Sequence, residues 1–160
     1  MRIGVVSDTH DNLRNVGRIV DLLVGAGVER VVHTGDITRA ATLVEVARVG
    51  VPIFGVYGNN DDPPTLAATA GRLGISLAEA PLELHWHGRR ILVVHDPYDL
   101  DGALADHHEV VLHGHTHRYT VERSATRVIF NPGECAGVLP GRNAVGLVDL
   151  ETLATEVLSF

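Results

Sequence analysis

The chain has 160 residues, of which 45% are hydrophobic, and a formal net charge of −7 at pH 7. Its single cysteine excludes an intramolecular disulfide and a zinc site made of thiolates, and the acidic charge argues against binding to long nucleic acid. No stretch approaches the roughly 18 apolar residues of a membrane helix, and the first apolar run is too short for a signal peptide. We therefore expect one cytoplasmic domain over residues 1–160, without a membrane partner.

The first half of the chain alternates strand and helix patterns. Short aliphatic runs that end in polar turns predict buried parallel strands over residues 2–7, 31–33 and 51–57. Apolar residues at helical spacing predict helices over residues 11–27, 39–48 and 65–73, with a break at Asp62-Pro63-Pro64 before the third. The predicted order of elements is therefore βαβαβα.

The second half of the chain has mostly β patterns. Runs at 82–86 and 90–94 flank His87-Gly88 and predict a hairpin. Further strands are predicted over residues 110–113, 119–123, 128–131, 144–149 and 154–158. The simplest packing of these two halves is an α/β fold, in which two mixed sheets face each other and the helices lie outside.

Five polar clusters each follow an apolar run: Asp8-Thr9-His10, Gly35-Asp36, Gly58-Asn59-Asn60-Asp61, His95 and Gly114-His115-Thr116-His117. Functional groups of open α/β sheets lie beyond the carboxyl ends of the strands, so we expect all five clusters at one edge. The spacing of two in Asp8–His10 and in His115–His117 would point each pair the same way on extended backbone. The glycines would let the backbone turn tightly there.

The clusters offer seven oxygen and nitrogen side chains that can bind metals. Such a set suits two divalent ions that share a carboxylate, an arrangement used mostly to hydrolyse phosphate esters. Taken singly, each cluster has another explanation. Asp8 and Asp36 could be helix caps, and Asn59 could lie in a turn. The pair His115 and His117 could be accidental. The coincidence of five clusters at successive strand ends favours the metal interpretation. Packing or solvent roles are expected for the other histidines: His33, His85, His87, His107 and His108.

The five clusters, in this order, resemble the calcineurin-like metallophosphoesterase superfamily. The short length and the opening Ser7-Asp-Thr-His-Asp-Asn12 are similar to its small bacterial and archaeal branch, the YfcE-like phosphodiesterases. The resemblance extends to Asn131-Pro132-Gly133, where Asn131 is expected to close the site without being a ligand. It implies a four-layer αββα sandwich of two mixed β-sheets, with the metals at the sheet edges.

The resemblance also implies two ligand sets and a reaction. Asp8, His10, Asp36 and His117 would hold one divalent ion. Asp36, Asn59, His95 and His115 would hold the other, so that Asp36 bridges. Mn²⁺ is the first choice, with Ni²⁺, Co²⁺, Fe²⁺ or Zn²⁺ as alternatives. The implied function is hydrolysis of small phosphodiesters by in-line attack of a metal-bridging hydroxide, with the same seven residues as the catalytic ones.

Three positions depart from the family pattern. Asn60 stands where larger members have a histidine that can protonate the leaving group, which leaves Asp61 or solvent as the acid. Asp96 follows His95 where glycine is usual; it could orient His95, although we expect it to face solvent. Glu134 stands where the small branch tends to have serine.

Two other functions remain open. A phosphomonoesterase or a cyclic-nucleotide phosphodiesterase would use the same ligands, because the pocket walls, expected over residues 61–64 and 97–108, decide which ester fits. A protein-interaction scaffold on this fold, like the retromer scaffold subunit, is the other alternative. Loss of a ligand histidine accompanies that use, whereas here every ligand position is filled. The sequence is compatible with a homo-oligomer.

Overall fold

The first half of the chain folds as β–α repeats, in a computed structural model that describes residues 1–138 and 141–160. Its strands are β1 (Arg2–Val6), β2 (Arg30–His33), β3 (Ile53–Val56) and β4 (Ser76–Ala78). Its helices are α1 (Leu13–Gly25), α2 (Ala40–Val46), which continues as the 3-10 helix Ala47–Val49, and α3 (Pro63–Leu73). The four strands pair in parallel, each with the next along the chain.

The second half of the chain supplies the remaining strands. They are β5 (Leu82–Trp86), β6 (Arg89–Val93), β7 (Val110–Leu112), β8 (Tyr119–Arg123), β9 (Val128–Pro132), β10 (Ala144–Asp149) and β11 (Thr155–Ser159). β10 and β11 join the first sheet, whose order is β11-β10-β1-β2-β3-β4, and the others form a second sheet of order β5-β6-β7-β9-β8. Both sheets mix parallel and antiparallel pairs.

The apolar core has two layers, separated by the first sheet. Ile3 and Val5 of β1 belong to the layer between the two sheets, whereas Val6 belongs to the layer that packs against the helices. On the outer face of the second sheet, Leu92 and Val111 are also buried. Segment 97–109, which begins with the 3-10 helix Pro97–Leu100, lies on that face. The four-layer α/β sandwich of two mixed sheets is therefore confirmed, with a thin outer layer over the second sheet.

Several predicted boundaries need correction. The break expected at residues 62–64 is instead the start of α3, because proline at the first helical positions lacks only an N–H that the helix does not use. Strand β4 was not predicted, since three residues are too short to show a pattern. The hairpin was correct: His87 and Gly88 have φ of 52° and 74°, the left-handed conformation of a tight two-residue turn. No helix among residues 1–138 and 141–160 is long and apolar enough to cross a membrane.

Candidate metal centre

The structure brings all seven predicted ligands together at the carboxyl ends of five strands. Asp8 and His10 follow β1, Asp36 follows β2, Asn59 follows β3, His95 follows β6, and His115 and His117 follow β7. Side chains from both sheets meet there, because the parallel strands of each sheet end at the same edge. The predicted convergence of the five polar clusters is therefore what the fold produces.

One group of ligand atoms surrounds the first predicted metal position. Asp8, His10, Asp36 and His117 each place one ligand atom within 4.8 Å of the others. His10 Nε2 lies 3.3 Å from Asp36 Oδ2, and His117 Nε2 lies 3.4 Å from Asp8 Oδ1. Asp8 Oδ1 and His10 Nε2 are buried without a hydrogen-bond partner in the described part of the chain. Buried polar atoms of this kind are costly unless a ligand satisfies them.

A second group lies on the other side of Asp36. His95 Nε2 is 3.5 Å from Asp36 Oδ1 and 3.0 Å from Asn59 Oδ1. His115 Nδ1 is 3.0 Å from Asn59 Oδ1 and 3.2 Å from His95 Nε2. These contacts link the four residues through Asn59 Oδ1 and His95 Nε2.

Asp36 is oriented so that each of its carboxylate oxygens faces one of the two groups. Oδ2 faces His10 and Oδ1 faces His95. Asn60 fixes this orientation, because its backbone N–H donates to Oδ1 at 3.0 Å and its side-chain amide donates to Oδ2 at 2.8 Å. Asn60, one of the three residues that depart from the family pattern, therefore orients the carboxylate of Asp36. The sequence did not predict this role.

The outer nitrogens of three histidines each face an oxygen that can accept a proton from the ring. His95 Nδ1 donates to the backbone oxygen of Thr34 at 2.8 Å, so the neutral ring has its lone pair on Nε2. His115 Nε2 lies 3.5 Å from Asp96 Oδ2, and His117 Nδ1 lies 3.6 Å from Glu134 Oε2. These carboxylates favour a proton on the outer nitrogen. The inner nitrogens then present lone pairs to the carboxylate and amide oxygens.

The donor set of both groups fits divalent cations. Lone pairs that converge without protons between them repel one another, and a cation removes that repulsion. Burial raises the pKa of Asp8, although the hydrogen bond from Ser7 and the charge of His117 act in the opposite direction. Mixed carboxylate, amide and imidazole ligands suit first-row divalent metals. The residues present therefore fit the metals that the family resemblance implies.

The backbone around the ligands is left-handed, which corrects the prediction of extended pairs. Positive φ angles occur at Asp8 (51°), His10 (40°), Asp36 (58°), His115 (64°) and His117 (56°). Such angles are uncommon outside glycine and cost free energy that the surrounding structure must supply. Backbone hydrogen bonds fix them: Asp8 N donates to Gly35 O at 3.1 Å, and His10 N donates to Asp36 O at 3.0 Å.

Two glycines in the clusters are needed for space, not for an unusual turn. A Cβ on Gly58 would collide with Asp36 Oδ1 and with the backbone nitrogen of Asp36. A Cβ on Gly114 would collide with Ser7 Oγ and lie 2.9 Å from Asp8 Oδ2. Among the three glycines of the polar clusters, Gly35, Gly58 and Gly114, only Gly35 has the positive φ that a tight turn requires, at 105°.

Two polar residues hold the loops that carry the ligands. Asp61 accepts hydrogen bonds from Thr38 N at 2.6 Å and Gly58 N at 2.8 Å, one on each carboxylate oxygen. Asn131 donates to Gly114 O at 2.9 Å and accepts from Gly133 N at 2.9 Å. Asn131 thus closes the site as expected, although it does so through its side chain.

The other two departures from the family pattern also contact ligands. Asp96 neither orients His95 nor simply faces solvent, because Oδ2 faces His115 and Oδ1 accepts a hydrogen bond from Tyr98 N at 2.9 Å. The expectation that Asp96 faces solvent was wrong, because the sequence does not show that His115 lies beside Asp96. Glu134 is fully buried next to His117.

The histidines expected to have structural roles lie outside the two groups. His33 is buried, and burial lowers the pKa of its ring to about 3, so it stays neutral. Its Nδ1 accepts a hydrogen bond from Gly35 N at 3.2 Å. His113 is also buried, and burial lowers its pKa as well. His85 and His87 are exposed, and His107 and His108 lie beside Glu83.

Comparisons with known proteins agree with this fold. Residues 1–153 match the calcineurin-like phosphoesterase superfamily domain. Phosphodiesterase MJ0936 of Methanocaldococcus jannaschii is 29% identical over an alignment of 156 residues, and the match covers 94% of this chain and 94% of the relative. A structure described as a novel archaeal phosphodiesterase has a TM-score of 0.91 at 27% identity and covers 100% of both chains.

More distant structures share the fold alone. YfcE, a phosphoesterase from E. coli, has a TM-score of 0.72 at 19% identity and covers 99% of both chains. Vps29 from Entamoeba histolytica has a TM-score of 0.70 at 16% identity and covers 100% of this chain and 99% of its own. The predicted family and the phosphoesterase class are thereby confirmed. The chain belongs to the calcineurin-like phosphoesterase superfamily.

Proposed function

We propose that the chain is a phosphodiesterase that uses two divalent metal ions to hydrolyse small phosphodiesters. The observation that carries the proposal is the position of Asp36, whose two oxygens face separate groups of candidate ligand atoms. Further support comes from the archaeal relative MJ0936, which is named a phosphodiesterase and matches nearly the whole chain. Mn²⁺ as the native metal, a single domain and a cytoplasmic location belong to the same proposal.

The ligand sets follow the two groups of side chains. Asp8, His10, Asp36 and His117 would hold one ion, and Asp36, Asn59, His95 and His115 would hold the other. Two such ions supply a deprotonated water as nucleophile and neutralise charge on the phosphate oxygens. The chain's part is to keep the ligand atoms in place, which Asn60 does at Asp36 and the outer carboxylates do at His115 and His117.

Protonation of the leaving group distinguishes this chain from the larger family members. Asn60 cannot donate a proton as an acid, and its amide is engaged with Asp36. Both oxygens of Asp61 accept backbone hydrogen bonds, which makes this residue a loop anchor and argues against a role as the acid. The chain should therefore cleave esters of acidic alcohols, such as p-nitrophenol, much better than alkyl esters.

The test is a metal-restoration assay on purified protein. The protein is first stripped of metal, and two ions per chain of Mn²⁺, Ni²⁺, Co²⁺, Zn²⁺ or Mg²⁺ are then added back. The rate of turnover of bis-p-nitrophenyl phosphate is compared with that of p-nitrophenyl phosphate. We expect metal-dependent turnover that prefers the diester. Asp36→Asn and His115→Ala should each lower the metal-dependent turnover by more than about a hundredfold. Loss of a residue that only contacts a metal ligand typically costs about 10–100-fold, so loss of a ligand itself should cost more. His85→Ala, at an exposed position, is the matched control.

Each other result has a distinct meaning. A preference for the monoester would favour the phosphomonoesterase alternative, because both reactions would use the same ligands. No turnover with any metal, although two ions are bound per chain, would refute the enzyme proposal for these substrates. Weight would then move to a protein-interaction scaffold on this fold.

A further inference from the structure

A cavity of about 280 Å³ opens directly beside the ligand His117. It lies where β8 and the end of β9 approach β10 and β11. Its polar wall consists of Arg118, Tyr119 and Arg142. Its apolar wall consists of Pro132, Ala144 and Val157, which come from both sheets. Small-molecule sites are commonly about 300–1,000 Å³, so this volume admits one chemical group and not a second large ligand.

The charge of this cavity differs from that of the whole protein. The chain carries a net charge of −7, yet none of the described residues that line the cavity is acidic. Many arginines elsewhere are engaged, as Arg89 is with Glu109. Within residues 1–138 and 141–160, the guanidinium groups of Arg118 and Arg142 have neither an ion pair nor a hydrogen bond. Two arginines with unpaired guanidinium groups therefore line a cavity that His117 also lines.

We propose that this cavity is a subsite for a second anionic group of the substrate. Guanidinium groups bind phosphate through paired, charge-assisted hydrogen bonds, and the half-exposed ring of Tyr119 offers a face on which a sugar or base can rest. The substrate class is then a phosphodiester with a further phosphate on one arm, as in a nucleoside 3′,5′-bisphosphate unit. The inference rests on the phosphodiesterase function proposed above and narrows its substrate.

The test compares two substrates that differ by one phosphate. They are the p-nitrophenyl ester of thymidine 5′-phosphate and the same ester with a 3′-phosphate. In the metal-loaded protein, the 3′-phosphate should lower KM by about tenfold, the lower range for charge-assisted hydrogen bonds at a partly exposed site. Arg118→Gln and Arg142→Gln should each remove most of this difference in KM between the two esters. Arg90→Gln, which changes the net charge equally at an exposed arginine outside the cavity, should keep it.

The outcomes separate the subsite from the enzyme. Equal KM values for the two esters in wild-type protein would overturn the subsite and leave the phosphodiesterase proposal standing. If neither ester is cleaved, binding of thymidine 3′,5′-bisphosphate to the metal-loaded protein is measured by calorimetry. Binding that weakens in the Arg118 and Arg142 variants but not in Arg90→Gln would support the subsite without the activity. Binding that is absent, or equal in all variants, would overturn it.

Discussion

Replacement of Glu134 by glutamine tests whether this buried carboxylate helps to hold a metal through His117. Glu134 is fully buried, with Oε2 3.6 Å from His117 Nδ1. Glutamine keeps the size of the side chain but removes the negative charge. Oε2 both accepts from Val138 N and faces His117, so an amide nitrogen at that position would lose the bond from Val138 and turn an N–H toward Nδ1. The ring proton would then be favoured on Nε2, where the metal should bind.

The expected loss is about 10–100-fold in the affinity of one ion, or about 1.4–2.7 kcal/mol, the usual effect of losing an outer-shell partner. Calorimetric titration of stripped protein should show one of two binding events weakened. Thermal unfolding adds a second readout, because the stabilisation that added metal gives should be smaller in Glu134→Gln than in wild type.

Glu83→Gln is the matched control for this experiment. Glu83 also faces a buried histidine, with Oε1 3.3 Å from His108 Nε2, but it lies outside the seven ligands. Its replacement should leave both binding events unchanged. Equal affinities in wild type and Glu134→Gln, or an equal loss in Glu83→Gln, would refute the reasoning that Glu134 acts through His117.

Two further predictions concern space and accessibility. Gly58→Ala should abolish metal-dependent turnover and lower the free energy of unfolding by about 1–3 kcal/mol, because its Cβ would collide with Asp36. Gly71→Ala, in α3 with no atom within 4 Å of the added carbon, should instead raise that free energy by about 0.5–1 kcal/mol in urea unfolding, and equal effects would contradict the geometry. Burial raises the pKa of Cys135 to about 12, so Ellman's reagent at pH 8 should label this thiol only after unfolding. Rapid labelling of folded protein would show that the thiol is accessible.

The sequence predicted the convergence of the ligands because each polar cluster follows a strand, and strand ends can be read locally. It could not predict their backbone conformation. Asp8 and His115 are held in left-handed geometry by contacts between distant residues, such as the hydrogen bond from His115 N to Asp8 Oδ2 at 3.1 Å. Local preference favours other angles, and tertiary contacts override it. The spacing alone could not give the backbone conformation, although Asp8 and His10 do converge on one group of ligand atoms.

The partners of the ligand histidines were also beyond local pattern. Asp96 is 19 positions from His115, and Glu134 is 17 positions from His117, so only the folded sheets bring these carboxylates to the rings. Both positions depart from the family pattern, but their contacts with the histidine rings depend on the folded structure.

The direction of the ring proton separates the candidate metal centre from a similar cluster elsewhere. Glu83, His107 and His108 also place one ligand atom each within 4.8 Å of the others. At His108, however, Nδ1 accepts a hydrogen bond from Ala105 N at 3.1 Å, so the neutral ring carries its proton on Nε2. That nitrogen donates toward Glu83 and has no lone pair for a cation. At His95 the outer nitrogen donates instead, and the inner lone pair is free to bind. Proximity of ligand residues is common to both clusters, and the lone-pair orientation at His95 and His108 favours the seven-residue cluster as the candidate metal centre.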